Sequence, residues 1–206
     1  MNLVDELNRG VVQLGVELDE NAPLKMIKYL ALLEKWNRVY NLTAIRDPQQ
    51  MVGNHLIDSL AVLPHLWPGR WLDVGCGPGL PGIVLAIARP QWHFTLLDSN
   101  SKKTGFIRQA IIDLGLSNVT VNCTRVEKWQ SPEKFDGIVS RAFASLSEFT
   151  GMTRHLLAEN GRWAAMKGHP EEELEQLPKD IKVERVIPLE VPGVEAARCL
   201  VVLGTK

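Results

Sequence analysis

One stretch of eleven residues constrains the fold more than any other part of the sequence. It runs from Leu72 to Gly82 and reads LDVGCGPGLPG. The apolar run that ends at Val74 predicts a short buried strand, the glycines that follow predict a tight turn, and an apolar helical pattern begins after Gly82. Glycines let a backbone approach a ligand closely, and a helix N-terminus offers free N–H groups. The stretch therefore predicts a strand–turn–helix seat for a charged or nucleotide-like ligand.

Two kinds of nucleotide site fit this seat. The letters from Gly77 to Gly82 match the dinucleotide pattern G-x-G-x-x-G, and Asp98 lies about the right distance downstream. However, the strand ends just before Gly75, and counting from that residue gives G-x-G-x-G with Asp73 ahead of it. That form resembles the first motif of S-adenosylmethionine-dependent methyltransferases, and the two prolines of the stretch remove N–H groups that a pyrophosphate would use. We therefore favour a methyltransferase and keep an NAD(P)-dependent oxidoreductase as the alternative.

The composition indicates a globular protein of one main domain. The chain has 206 residues, of which 45% are hydrophobic and 23% charged, which suits one α/β domain with a small appendage. The apolar runs are too short to cross a bilayer and the first residues lack a cationic leader, so we expect a cytoplasmic protein without membrane contact. Cys76, Cys123 and Cys199 have no metal-ligand spacing, so we expect no metal. Cys76 is predicted to be a packing residue and the other two to be buried in strands.

The first 65 residues show helical patterns and no convincing strand. Asn2 to Leu14 predicts one helix, Asn21 predicts the N-cap of a second that runs to about Tyr40, and Met51 to Leu63 predicts a third. Residues 1–65 are therefore predicted to form an all-helical cap.

From residue 66 onward strand and helix patterns alternate, which indicates a parallel sheet with crossover helices. The strand candidates are Arg70–Val74, His93–Leu97, Val119–Cys123, Phe135–Ser140, Gly161–Met166, Lys182–Leu189 and Cys199–Leu203. The last two are joined by a connection too short for a helical crossover, so they should pair antiparallel. A Rossmann-like α/β sheet of seven strands with an antiparallel last strand is the layout of the S-adenosylmethionine methyltransferase fold. We predict that residues 66–206 form this domain and that the cap packs with it as one compact unit.

The carboxyl ends of the parallel strands predict where the ligand sits, because ligands of open α/β sheets bind beyond those ends. The cofactor-binding candidates are Gly75, Gly77, Leu80, Asp98, Val126, Glu127 and Arg141. Asp98 ends a strand where its oxygens would accept from both ribose hydroxyls of an adenosine; the alternative is an N-cap for the next helix. Val126-Glu127 would contact the adenine, or form a plain exposed loop. Arg141 follows a buried strand and needs an anionic partner, which a structural salt bridge would also supply.

Basic residues concentrate locally although the formal net charge is −1. Acidic residues gather in 170–190, whereas 101–110 contains three basic residues and no acid. A polyanion needs such a local patch rather than a high overall charge, and a solvated helix face is the alternative interpretation. His55 and Asp58 lie three apart on a predicted helix, either as a structural hydrogen bond or at the edge of the cleft. The candidates for nucleic-acid contact are Lys102, Lys103, Arg108, Arg125, Lys167 and His55.

The residues after the fourth strand bear on the kind of nitrogen that is methylated. They read Ser140-Arg141-Ala142-Phe143 and lack the Asn/Asp-Pro-Pro-aromatic motif with which enzymes methylate exocyclic base amines. A ring nitrogen such as guanine N7 already has an in-plane lone pair and needs no base to expose it. Catalysis would then consist mainly of positioning, with Arg141 as the candidate positioning residue.

Four segments in order resemble one family. They are 35–43 (KWNRVYNLT), 55–59 (HLIDS), 73–82 (DVGCGPGLPG) and 140–142 (SRA). The chain is similar over nearly its whole length to the ribosomal small-subunit methyltransferase G family, also called glucose-inhibited division protein B. The resemblance implies S-adenosyl-L-methionine as cofactor and N7 methylation of a guanine in the 530-loop region of bacterial 16S ribosomal RNA. The substrate would be the RNA or a small-subunit particle, and the enzyme a monomer.

The resemblance also assigns roles to residues. It carries cofactor contacts to Gly75, Leu80, Val126, Glu127 and Arg141, and Asp98 matches the usual ribose-binding acid. Asn54 stands where relatives often have a base, and Cys199 where a histidine is expected, so neither position receives a role. A non-catalytic RNA-binding module on the same fold is a further alternative.

Overall fold

The structure, a computed structural model, describes residues 2–206, and within that range seven strands form one sheet. The strands are β1 (Arg70–Val74), β2 (His93–Asp98), β3 (Val119–Cys123), β4 (Phe135–Arg141), β5 (Leu157–Lys167), β6 (Ile181–Pro188) and β7 (Cys199–Thr205). Their order is β3-β2-β1-β4-β5-β7-β6. β1 to β5 are parallel, and β7 pairs antiparallel with both β5 and β6. The predicted fold class is therefore confirmed.

The helices divide between the N-terminal segment and the sheet region. The N-terminal α-helices are α1 (Leu3–Leu14), α2 (Ala22–Tyr40), α3 (Pro48–Met51) and α4 (Asp58–Leu60), with a π-helical segment at Val52–Ile57 and a 3-10 turn at Leu63–His65. Those of the sheet region are α5 (Gly82–Ala88), α6 (Ser101–Leu114), α7 (Leu146–Thr153) and α8 (Glu171–Glu175), with 3-10 turns at Val126–Lys128 and Arg154–Leu156. The chain therefore alternates strand and helix after residue 66, as its pattern predicts.

Two predictions about the N-terminal segment differ from the structure in their hydrogen bonding. The helical region from Met51 to Leu63 is not one α-helix, because the Asp58 N–H bonds to the Gly53 carbonyl five residues back, as in a π-helix. Asn21 is the N-cap residue of α2 as predicted, but its side chain makes no cap hydrogen bond.

A third correction concerns Cys123, which is exposed rather than buried. It ends β3, and β3 is an edge strand, so one side of the residue has no neighbouring strand to cover it. Cys76 and Cys199, in contrast, are buried as predicted.

The N-terminal helices pack on the sheet region through one apolar cluster. The cluster includes Met26, Leu33 and Leu56 from the N-terminal helices, and Ile83 and Phe106 from α5 and α6, all of them fully buried. A second cluster fills the other side of the sheet around α7. β7 contributes alternate residues to the two clusters, as the two-residue period of a strand requires. The sheet is therefore covered by apolar packing on both faces.

The strand order places a crevice at the carboxyl ends of β1 and β4. From β1 the chain proceeds outward to β2 and β3, and then returns to the other side of β1 to form β4. Open parallel sheets bind ligands at such a switch point, outside the carboxyl ends of the strands. The glycine turn after β1 and the segment after β4 meet there.

Candidate functional site

The glycine turn is held open at the carboxyl end of β1. Gly75 has a φ of 65°, and a Cβ at this position would lie 2.6 Å from the Phe143 ring. Its N–H donates to the Leu97 carbonyl (2.8 Å), which fixes the turn against the end of β2. The backbone conformation and the closeness of the ring both require glycine here. Phe143 thereby forms a wall of the crevice directly over the turn.

Asp98 connects the glycine turn with the start of α6. Its Oδ2 accepts from the Gly77 N–H (3.0 Å) and its Oδ1 from the Asn100 N–H (2.8 Å). The Asn100 side chain accepts from the N–H groups of Lys102 and Lys103 and is therefore the N-cap of α6. Because Asn100 caps the helix, the alternative role of Asp98 as that cap is not what the structure shows.

A first cavity of about 280 Å³ lies beside Asp98. Gly75, Val126 and Glu127 also line it, together with Leu97, Met152 and Phe143 as its apolar walls. Val126 is buried, whereas Arg125 and Glu127 are exposed at the rim. The cavity thus brings together most of the predicted cofactor-binding residues.

Three members of the predicted set lie elsewhere. Gly77 is adjacent to this cavity through its hydrogen bond to Asp98. Leu80 is buried beneath the turn, in the apolar cluster shared with the N-terminal helices. Arg141 lies in a second cavity on the other side of the segment that follows β4.

The second cavity has a volume of about 500 Å³ and is lined by three basic side chains, Arg141, Lys167 and Arg198. Buried Asp58 accepts from Arg141 Nη1 (3.1 Å) and from Arg198 Nε (2.7 Å). Lys167 pairs with Glu173 (2.8 Å). Three cations are therefore paired with two carboxylates, which leaves this open cavity with an excess of positive charge suited to an anion.

The π-helical segment shapes one wall of the second cavity. Its Asn54 carbonyl accepts from Arg141 Nη1 (2.9 Å), which adds to the bond from Asp58. His55 bonds through Nε2 to the Thr43 hydroxyl (3.0 Å) rather than to Asp58. Burial, followed by the nearby Arg141 charge, lowers the pKa of His55 to about 4, so the ring is neutral near pH 7. His55 and Asp58 both border the cleft, which was one of the two predicted possibilities.

Two buried groups support the glycine turn from below. Asp73, at the end of β1, accepts from the Gly82 N–H (2.7 Å), and burial raises the pKa of its carboxyl to about 7. The hydroxyl of Tyr29 on α2 donates to the Pro78 carbonyl (2.9 Å), and burial raises its pKa. An N-terminal helix is thereby bonded directly to the turn at the centre of the site.

The predicted nucleic-acid contacts fall into three groups. Lys102, Lys103 and Arg108 lie on α6, with the first and last exposed. Arg125 lines the first cavity, whereas Lys167 and His55 line the second. The structure therefore does not bring all six together.

Arg198 is the basic residue that sequence reasoning missed. Cys199, the first residue of β7, pairs with Lys167, the last residue of β5. An antiparallel strand begins at the edge where its parallel neighbours end, so the residue before β7 belongs to the ligand-binding edge. The predicted antiparallel hairpin contains this signal, because it places the residue before the last strand at that edge.

Two further properties bear on the class of site. Across residues 2–206, no three His, Cys, Asp or Glu side chains are grouped so as to hold a metal ion. None of the helices in this range has the length and apolar character needed to span a membrane.

Two solved structures of similar fold are methyltransferases. A SAM-dependent methyltransferase from Aquifex aeolicus aligns with a TM-score of 0.56 and 22% identity, over 76% of this chain and 93% of that one. The N-methyltransferase NodS from Bradyrhizobium japonicum, solved with S-adenosyl-l-homocysteine, aligns with a TM-score of 0.55 and 15% identity, over 86% and 97%. With the crevice at the β1/β4 switch point, the chain has the Rossmann-like fold of these S-adenosylmethionine-dependent methyltransferases.

The sequence places the chain within that class. The family model of rRNA small subunit methyltransferase G matches residues 23–201. Ribosomal RNA small subunit methyltransferase G of Laribacter hongkongensis (strain HLHK9) is 54% identical over 207 residues, covering 100% of both chains. The chain belongs to the rRNA small subunit methyltransferase G family, which confirms the resemblance seen in its motifs. Membership decides for a methyltransferase over the oxidoreductase and the non-catalytic RNA-binding module.

Proposed function

We propose that the protein transfers the methyl group of S-adenosyl-L-methionine to N7 of a guanine in the 530-loop region of bacterial 16S ribosomal RNA. It acts as a cytoplasmic monomer on the RNA or on a small-subunit particle. The observation that carries the proposal is the pairing of two cavities at the switch point. One presents Asp98 beside a glycine turn, and the other presents three basic side chains.

The first cavity fits the adenosine part of the cofactor. The two Asp98 oxygens accept one backbone N–H each, and a carboxylate has about four acceptor sites, so both oxygens retain capacity for the ribose hydroxyls. Val126 and Glu127 border the place of the adenine. A Cβ at Gly77 would meet no atom within 4 Å, so open space lies over the turn where the amino-acid end would pass. When bound, the cofactor supplies an electrophilic methyl group on a sulfonium.

The remaining cofactor candidates act from the edge of this space. Leu80 supports the turn from the apolar cluster beneath it. Arg141 lines the second cavity, where the RNA would bind, and Phe143, two residues further on, lines the first cavity, where the cofactor would bind. We assign Arg141 a positioning role toward both substrates, since its Nη1 is already engaged by Asp58 and the Asn54 carbonyl.

The second cavity receives the target guanosine. Arg198 and Lys167 supply positive charge for its phosphates, and neutral His55 adds none. Both arginine side chains are held by one buried carboxylate, so little conformational freedom remains to be lost when RNA binds. The cavity is therefore preorganised for an anionic nucleotide.

The chemical step needs no side chain that accepts a proton. Guanine N7 carries an in-plane lone pair, and the two ionisable neighbours are unsuited to act as bases. His55 has a pKa of about 4, and Asp58 is bonded to two arginines. The protein's contribution is to hold N7 in line with the methyl donor.

Methylation of RNA from cells that lack this activity tests the proposal. We expect methyl incorporation into 16S RNA or small subunits, followed by chain cleavage at the product after borohydride–aniline treatment, which cleaves at 7-methylguanosine. Primer extension then locates the base. Methyl incorporation without such cleavage would contradict the N7 assignment, and incorporation at a site outside the 530-loop region would contradict the choice of target.

The salt dependence of RNA binding tests the basic residues of α6. The affinity falls as salt rises, so the slope of log affinity against log salt is negative. Replacing Lys102, Lys103 and Arg108 with alanine should reduce the magnitude of this slope by about 0.7–0.9 for each lost phosphate contact. The control variant replaces three exposed lysines at the opposite sheet edge, Lys179, Lys182 and Lys206, and removes the same charge. Equal slopes for both variants would show that the α6 residues are only a solvated surface.

A further inference from the structure

Tyr40, the last residue of α2, is an aromatic residue that is partly exposed to solvent. Tyr40 is 41% exposed and its neighbour Val39 is 70% exposed. The Tyr40 ring lies 5.4 Å from the Trp36 ring, which in turn lies 5.7 Å from the buried Phe106 ring. Tyr40 is thus the outermost member of an aromatic row whose inner end is anchored in the core. Trp36 therefore supports the Tyr40 ring, which remains partly exposed to solvent.

Two basic side chains lie at this end of α2. Lys102 Nζ lies 6.0 Å from the Tyr40 ring centroid, on the first turn of α6. Arg46 is exposed, and its Nη2 donates to the side chain of Asn41, the residue that follows Tyr40 (2.9 Å). A partly exposed ring accompanied by cations matches the surfaces that bind single-stranded nucleic acid, in which bases stack on aromatics and basic residues follow the backbone.

The position of the ring connects it with both cavities. Thr43, three residues after Tyr40, lines the second cavity. At the start of α6, the Lys102 N–H donates to the Asn100 side chain, and the Asn100 N–H donates to Asp98, which lines the first cavity. The corner where α2 meets α6 is therefore joined to the linings of both cavities by short stretches of chain.

We propose that Tyr40 is a stacking platform for an RNA base that flanks the methylated guanine, with Lys102 and Arg46 contacting the adjoining phosphates. The proposal rests on the proposed function, since it assigns a second contact to the same RNA substrate. It gives the cap a direct part in substrate recognition.

The test compares variants of Tyr40 in RNA binding. Tyr40→Ala should weaken the affinity for a single-stranded fragment of the target region by about fivefold to a hundredfold, the range measured when one stacked base loses its aromatic partner. Tyr40→Phe should retain the affinity, whereas Tyr40→Leu, which keeps apolar bulk but has no ring, should behave like alanine. Ile112→Ala is the matched control, because Ile112 is an apolar residue on α6 that is 72% exposed.

A spectroscopic measurement separates stacking from a merely structural role. Fragments carrying 2-aminopurine at successive positions beside the guanine should lose fluorescence on binding at one position, and Tyr40→Ala should restore the fluorescence there. Cofactor affinity, measured by calorimetry, should be unchanged in every variant. With methylation, the effect of Tyr40→Ala should appear in KM for RNA rather than in kcat.

Several outcomes would overturn the platform. One is wild-type RNA affinity in Tyr40→Ala and Tyr40→Leu, and another is unchanged 2-aminopurine fluorescence at every position. A defect on small-subunit particles that is absent with naked RNA would show that this corner contacts a protein instead. If the wild-type protein methylates RNA in these experiments, the proposed function stands while the platform fails. If the wild-type protein methylates neither substrate, the proposed function itself fails.

Discussion

Asp98 links the glycine turn, the end of β2 and the N-terminus of α6 through one carboxylate. Under the proposed function it also accepts from the ribose hydroxyls. Asp98→Ala should therefore weaken S-adenosylmethionine binding by about 2–3 kcal/mol, since hydrogen bonds to a charged group are lost, and calorimetry measures this directly. Asp113→Ala, which removes a carboxylate at the other end of α6, is the control. Normal cofactor affinity in the Asp98 variant would remove this residue from the site.

Asp73 should make the stability of the cofactor-free protein depend on pH. Its folded pKa of about 7 lies above the ordinary value of 3.8, so the folded state holds the proton more tightly than the unfolded state between these values. This contribution is fully present below about pH 4 and is lost as the pH rises to about 7, with a slope of at most about 1.4 kcal/mol per pH unit.

Urea unfolding of the wild type and of Asp73→Asn between pH 4 and 8 measures this contribution. The asparagine cannot ionise, and its side-chain oxygen can still accept from the Gly82 N–H. The stability of the variant relative to the wild type should rise with pH up to about 7 and then stay constant. Parallel pH profiles for the two proteins would show that Asp73 does not titrate in this range.

At the scale of elements, α2 is bonded to the glycine turn through Tyr29. Tyr29→Phe removes the hydroxyl and leaves the Pro78 carbonyl without its partner. We expect a loss of about 1–2 kcal/mol in unfolding free energy together with weaker cofactor binding, because the turn loses a support. Tyr40→Phe is the control, since it removes the hydroxyl of an exposed tyrosine on the same helix. Equal unfolding free energies for the two variants would exclude a supporting role for the Tyr29 hydroxyl.

The elements that were predicted correctly are those whose signal is local. The β1–turn–α5 unit is defined by an apolar run, glycines and a helical pattern within about twenty residues. The other strands are likewise indicated by short apolar runs within the strand itself. The π-helical segment gave no such signal, because its Asn54 carbonyl bonds to Arg141, 87 positions away. Arg198 reaches Asp58 across 140 positions. Such contacts form only when the sheet is assembled, so the local hydrophobic periodicity of the sequence does not predict them.

At the scale of the molecule, we propose that residues 1–65 and 66–206 form one folding unit, because they share an apolar cluster. Removing 1–65 would expose Ile83 and Phe106, which are fully buried against the N-terminal helices. A chain of residues 66–206 should therefore fail to give a cooperative unfolding transition, and co-expression with residues 1–65 should restore one. In the intact chain, far-UV circular dichroism and tryptophan fluorescence should give coincident transitions. Cooperative unfolding of the truncated chain would show two independent domains.

The position of β7 in the sheet determines the order in which the last strands can pair during synthesis. β7 follows β6 along the chain but lies between β5 and β6, so β6 has no strand to join until β7 has left the ribosome. Arg198, which precedes β7 directly, reaches the second cavity only at that moment. Translation therefore delivers Arg198 after the glycine turn and after the other two basic residues of the second cavity, Arg141 and Lys167. Under the proposed function, a nascent chain that stops short of β7 and Arg198 lacks one of the three basic side chains that receive the RNA.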